Sequence, residues 1–330
     1  MKAMFSSPLL KPGLIALAVT LAMPLQGQAA ETATGANLVD ALQALGGPSA
    51  GLRKAHAHGV CFTGSFTPDS ASAAAITKSP AYTASTSYPV SGRFSMGGPN
   101  PHAPDNAKEG RGLAVRLTPN ADASMDLVLA STPMFAAATP DEFLELLTTV
   151  KSGDKEKIGA FMKTHDAPGR QHAWLEARPV YASFATTPYY GIHAFRFVNA
   201  AGKITMGKIV TTPVGEATGL SDAEAKAKGG DFLAAELAGR VAKGPAKIDV
   251  AVQIAEAGDS LNDPTKDWPD TRKTVHLGTL NIEKAGGTAC VGEVFMPTAV
   301  TEGVELGTDP ILPMRATAYA VSYGRRLSGK

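Results

Sequence analysis

The chain has 330 residues, with 31 Lys and Arg against 30 Asp and Glu and a formal net charge of +1. So even a balance excludes an electrostatic binder of nucleic acid, and 44% hydrophobic residues without repeats or low-complexity tracts exclude a largely disordered chain. The length suits one large core or two modest ones.

The first thirty residues read as a leader rather than as part of the fold. Lys2 and Lys11 precede an apolar run from Gly13 to Leu25, shorter than the ~20 residues a spanning helix needs. Gly27-Gln28-Ala29 places small residues where a signal peptidase reads them. The expectation is a signal peptide over residues 1–29, cleaved near Ala29, and a single domain over 30–330; an uncleaved anchor is the alternative. With no twin arginine ahead of the run, the chain is expected to be exported unfolded. It would load any cofactor outside the cytoplasm and work as a soluble periplasmic or secreted protein. That compartment permits disulfides. Sequence leaves open whether the two cysteines, Cys61 and Cys290, are paired, because it does not fix the geometry a bridge requires.

A short helix with a glycine stop is predicted within Glu31 to Leu52. Short, partly alternating segments bounded by Gly, Pro, Asn or Asp follow: VCFTGSFTP, PVSGRFSM, GRGLAVRLT and DLVLAST. They read as strands. Pro140 opens a helix with Asp141 and Glu142 in its first turn, and a second helix is expected over Lys155 to Thr164. Tyr190 to Thr212 reads as a hairpin. Ser221 to Lys243 is expected to be one Ala-rich helix capped by Ser221. Ile248 to Ile254 and Thr274 to Ile282 are strands. Strands early and helices inserted or terminal point to an antiparallel barrel or sandwich with helical excursions.

The last predicted helix, Asp309 to Arg326, carries Arg315, Tyr319 and Arg326 on one face, at spacings of four and seven. A free phenol titrates near ~10 and ionises at neutral pH only beside a cation or a metal. Ferric haem iron is such a metal, and tyrosinate is an axial ligand it takes. A core tyrosine flanked by surface arginines is the structural alternative.

In order, the chain presents RKAHAHGVCFTGSF, SGRFSM, EGRGLAVRL, MDLVLASTPMF and RATAYAVSYGRR. This succession resembles the haem catalase family, and within it the short, exported catalase-related peroxidases. The resemblance spans about Arg53 to Arg326. It implies an α+β fold: an antiparallel catalase-type β-barrel with inserted and C-terminal helices, lacking the large catalase's C-terminal helical domain. It implies haem b as cofactor, with Tyr319 as iron ligand and Arg315 stabilising its phenolate. His56 becomes the distal catalytic histidine, Ser95 its hydrogen-bonding serine, and Arg53, Arg93 and Arg326 the partners of the haem propionates. Phe135 is placed in the distal channel, with a plain core role equally open. Tyr323 is the rival ligand, set aside because Arg315 stands four residues before Tyr319. His58, where the family usually has lysine, is read as a surface residue, and His102 and His193 as loop and hairpin residues. Arg325 is read as facing solvent or an anion.

Large catalases carry a distal asparagine just before T-P-x-F, and here the resemblance puts Ser131 at that position, after Ala130. The expectation is a haem peroxidase that reduces hydrogen peroxide or small organic peroxides with an organic electron donor, with weak or absent catalase activity. Imidazole chemistry supports this, since a group titrating near ~6.5 can accept and return a proton at neutral pH. A haem carrier or sensor, or a hydroperoxide isomerase on the same barrel, are the alternatives. A monomer or homodimer is expected.

Overall fold

The computed structural model describes residue 1 and residues 31–47, 50–215 and 217–329; the predicted signal peptide therefore lies, beyond Met1, outside the described residues. Everything below concerns the unit formed by residues 32–330.

Helix α1 (Gly35–Gly46) is opened by Thr34, whose hydroxyl and the Asn37 side chain form a reciprocal capping box, and is closed by Gly47 at φ +77°. Strand β1 (Gly59–Pro68) leads into two one-turn helices, α2 (Ser70–Ala73) and α3 (Pro80–Thr83). Strands β2 (Tyr88–Met96), β3 (Arg111–Asn120) and β4 (Ala123–Ala130) then form a meander. Three helices follow: α4 (Pro140–Ser152), α5 (Lys155–Thr164) and α6 (Ala167–Glu176). A short strand β5 (Val180–Tyr181) precedes the hairpin β6 (Tyr190–Val198) and β7 (Ile204–Pro213), and β8 (Gly219–Leu220) returns to pair with β5. Helices α7 (Asp222–Lys228) and α8 (Leu233–Val241) come next, then β9 (Ala246–Ile254), β10 (Thr274–Ala285), a short β11 (Val304–Glu305) and α9 (Ile311–Leu327).

The main sheet runs β6-β4-β3-β2-β1-β10-β9-β7 and closes by pairing β7 with β6, an eight-stranded antiparallel barrel with β11 added along β6. Closure removes the free edges that make open sheets sticky. Phe62, Phe66, Phe94, Val115, Leu117, Ile248, Val250 and Val252 are all 5% exposed or less and belong to one core. Phe94 stacks on Phe184 at 5.3 Å and lies 4.9 Å from Phe62. Gly92 makes this possible, because a Cβ there would fall 2.2 Å from the Phe62 ring. With the interior filled, the residues alternating with these core positions are left for the other face: Arg93 and Ser95 on β2, Gly112 and Ala114 on β3, Val128 and Ala130 on β4. A second cluster, in which Leu38, Leu144 and Leu147 are packed by Leu42, Phe143 and Met314, joins α1, α4 and α9. Gly35 lets α1 approach closely, since a Cβ there would sit 2.7 Å from the backbone of Thr317.

The expected single helix from Ser221 to Lys243 is instead two. Gly229 takes φ +78° and ends α7, and Asp231 and Phe232 separate it from α8. Consecutive glycines at 229 and 230 favour that break over the Ala-rich pattern around them. Helix α6 was not predicted, because its mostly polar sequence carries little helical periodicity. Cys61 and Cys290 are bonded, with Cα atoms 5.4 Å apart.

Candidate active site

Two adjoining hollows lie against the cavity-facing residues of β2, β3 and β4, under α1 and α9. Their empty volumes are about 840 and 1690 Å³, open mouths included. His56 and Tyr319 line both.

His56 precedes β1 and has φ +54°, the one positive φ outside glycine among the described residues. That left-handed conformation costs about 1–2 kcal/mol. Backbone contacts hold it: Arg93 donates from Nη1 to the His56 carbonyl at 2.6 Å and from Nη2 to Ala57 at 3.0 Å, while the His56 and Ala57 amides donate to Gly97 and Gly98. The ring Nδ1 lies 3.0 Å from Ser95 Oγ. Ser95 pairs across the ladder with Gly112, and a Cβ at Gly112 would stand 2.7–2.8 Å from the His56 ring and Ser95 Oγ. The missing side chain is what admits the pair. Burial lowers the His56 pKa to about 4, assisted by the charges of Arg93, Arg315 and Arg53. The ring is neutral at pH 7.

Across the cavity, Arg315 donates to the Tyr319 hydroxyl from Nε at 3.1 Å and Nη2 at 2.6 Å. Its Nη1 points to His193 Nε2 at 2.8 Å, and His193 Nδ1 lies 2.9 Å from Asp309 Oδ2. A guanidinium only donates, so Nε2 accepts and Nδ1 carries the proton given to Asp309. Both residues are 2% exposed, and burial lowers His193 to about 4 despite the opposing pull of Asp309. Asp309 also caps α9 by accepting the Leu312 amide at 3.0 Å. His193, read from sequence as an ordinary hairpin residue, is thus the middle of a relay that ends on Tyr319. No local motif marks it, because Asp309 and His193 are 116 residues apart. Tyr323 also faces the smaller hollow, but its ring lies beneath the Arg326 guanidinium at 5.0 Å.

Arg53, Arg93 and Arg326 line the smaller hollow together. Arg53 donates to the carbonyls of Cys290 and Glu293, and Arg326 to that of Glu293. None has an ion-pair partner among the described residues, because the Glu293 carboxylate is engaged by Arg116. Burial and mutual repulsion push Arg93 down to about 9 and Arg53 to about 10. Three crowded cations without a counter-ion mark a seat for anionic groups. Phe135 lines the larger hollow and packs on Phe143 at 4.8 Å.

Two expectations need correction. Ser131 does not face the cavity; its Oγ accepts the Arg111 amide at 2.8 Å, and Ala130 supplies the cavity wall. Past the end of β4 the chain turns back on β3, and the free Arg111 N–H captures the hydroxyl. Arg325 meets an anion, as one of its two readings had it: it pairs with the Asp40 carboxylate at 2.6 Å and ties α9 to α1. His58 is half-buried and lies 3.4 Å from Asp105.

An antiparallel barrel with a part-buried histidine and a guanidinium-held tyrosine lining one cavity defines a class of haem protein, and residues 32–330 match the family profile described as Catalase. The chain belongs to the catalase family. Its relatives include the catalase-related peroxidase of Synechococcus elongatus, 32% identical over 96% of this chain and 95% of that protein. The catalase-related peroxidase of Mycolicibacterium paratuberculosis is 34% identical over 86% and 92%. Catalase A from Saccharomyces cerevisiae shares the fold at a TM-score of 0.73 and 20% identity, covering 88% of this chain; this chain spans 64% of that one.

Family membership implies haem, and the residues present fit it. The hollow offers a phenol oxygen on one wall, an imidazole on the other, and uncompensated arginines at one end where a haem's two carboxylates need partners.

Proposed function

We propose that this protein is an exported peroxidase that binds haem b and reduces hydrogen peroxide or small organic peroxides, taking electrons from a small organic donor. The observation that carries the reading is the neutral, backbone-locked His56 lining the same two hollows as the guanidinium-held Tyr319. Tyr319 would be the iron ligand, with Arg53, Arg93 and Arg326 holding the propionates. Haem, when bound, supplies the electrons that cleave the peroxide O–O bond. The chain's own residues manage the protons. With Nδ1 engaged by Ser95, His56 presents Nε2 to the cavity. It takes the proton from one peroxide oxygen and returns it to the other, which leaves as water or an alcohol. An imidazolium acidified by its surroundings gives that proton up readily.

Ala130 supports the peroxidase half of the reading. This stretch of wall presents a methyl group to the cavity, so position 130 offers no side-chain amide to orient a second peroxide for oxidation to dioxygen. The disulfide supports export to an oxidising compartment. A haem carrier has no use for a strained distal base, which favours an enzyme.

The test compares initial rates of phenol oxidation and dioxygen evolution by the haem-loaded mature protein, with A130N alongside. Donor oxidation should dominate in the wild type, and dioxygen evolution should rise in A130N. Comparable rates of the two reactions in the wild type would sink the peroxidase assignment.

A further inference from the structure

His58, Asp105 and Asp231 come together from three separate segments, outside the machinery described above. Their ligand atoms all lie within 4.8 Å of one another. His58 belongs to the segment that carries His56, two residues on. Asp105 sits in the loop that follows β2, whose Gly97, Gly98, Lys108 and Glu109 line the larger hollow. Asp231 occupies the break between α7 and α8.

Asp105 is wholly buried. Its Oδ2 accepts the amides of Phe232 and Leu233, both at 2.7 Å, and so caps α8. Arg111 reaches the Asp105 carbonyl at 3.3 Å and makes no hydrogen bond to its carboxylate. Oδ1 accepts no hydrogen bond at all, yet it points at His58 Nε2 from 3.4 Å. A buried carboxylate oxygen without a donor is costly, and this one is aimed at a nitrogen that is a good metal ligand.

The spacing fits a metal. Zinc bonds to imidazole nitrogen and carboxylate oxygen are about 2.0–2.2 Å, which sets neighbouring corners of a tetrahedron about 3.4 Å apart. The His58–Asp105 separation has that value already. Asp231 is exposed, and its side chain is free to close the remaining gap. One nitrogen and two carboxylates suit zinc or a similar divalent transition metal. They suit calcium poorly, since it takes six to eight oxygens. We propose that His58, Asp105 and Asp231 form a binding site for a divalent transition-metal cation of the zinc type. The cation would pin the His56 segment, the loop after β2 and the α7–α8 break to one another, and a solvent molecule would complete its coordination.

Zinc chloride titrated into the haem-loaded mature protein by calorimetry tests this, together with thermal melts. The wild type should bind one equivalent and melt several degrees higher with zinc. H58K, which puts an ammonium opposite Asp105, and D231N, at an exposed position, should each weaken binding at least tenfold and lose the zinc-dependent rise. Their melts without zinc report that they fold. H276N removes the other histidine flanked by two aspartates, Asp69 and Asp249, and should leave binding unchanged. No saturable binding in the wild type would overturn the proposal and leave His58 and Asp105 as a plain ion pair. Binding that survives in H58K and D231N, or that is lost only in H276N, would overturn it equally.

Discussion

The two walls of the cavity are built by different means. His56 is fixed through its backbone: a left-handed φ, an arginine on its carbonyl and a serine on its ring, all from the first third of the chain. Tyr319 sits on a regular helix and is fixed through side chains alone, by a buried relay running from Asp309 through His193 and Arg315. Under the proposed function the first arrangement holds a group that would gain and lose a proton without moving. The second sets the charge around an oxygen that must stay put. Strain suits the former; a chain of hydrogen bonds, each donor oriented by the next acceptor, suits the latter.

Breaking the side-chain wall at its end has the largest expected effect. Y319F should weaken haem binding by about 100-fold or more, beyond the 10–100-fold typical of changes behind a ligand, read from a titration of the Soret band. Unchanged affinity would pass the ligand role to Tyr323. H56A should leave haem affinity intact and slow peroxide consumption by about 10²–10⁴-fold, the usual range for a lost acid–base group. A loss of affinity and rate together would mean that His56 shapes the seat rather than handling protons.

The middle of the relay sharpens the contrast. H193Q should leave Asp309 imperfectly paired and cost about 1–3 kcal/mol in urea melts, with a smaller loss of haem affinity than Y319F. A further contrast is in pH. Both imidazoles titrate near about 4 when folded and near ~6.5 when unfolded. Between those values the unfolded chain binds protons that the folded one refuses. Stability is therefore full above pH 6.5 and falls toward pH 4. Urea midpoints at pH 7 and 4.5 measure the drop, and H193Q should reduce it. An equal drop in H193Q would assign it to other groups.

Much of this was legible in the sequence. Strand alternation and turn residues located most of the barrel. The predicted bounds of α5 and the start of α4 agree with the structure, because Pro140 and the acidic first turns are local signals. The Arg315–Tyr319 pair follows from helical spacing, and Ser95 beside His56 from the family resemblance. What stayed hidden depends on distance or on small backbone choices. His193 gains its partners from strand β6 meeting the start of α9. Ser131 loses its expected place because a free amide at the edge of β3 captures its hydroxyl. Gly229 outweighs the helix-forming residues around it. Such outcomes are settled by tertiary geometry that no local window contains.

The site draws its opposing groups from opposite ends of the chain. The histidine and two of the arginines come early, while the tyrosine, its guanidinium and the third arginine wait for the last helix, which packs on the first. A chain that stops between β11 and α9 holds every strand of the barrel and still lacks Arg315, Tyr319 and Arg326, the groups proposed to hold iron and a propionate. On the proposed reading, possession of the cofactor would certify that synthesis ran through the last helix.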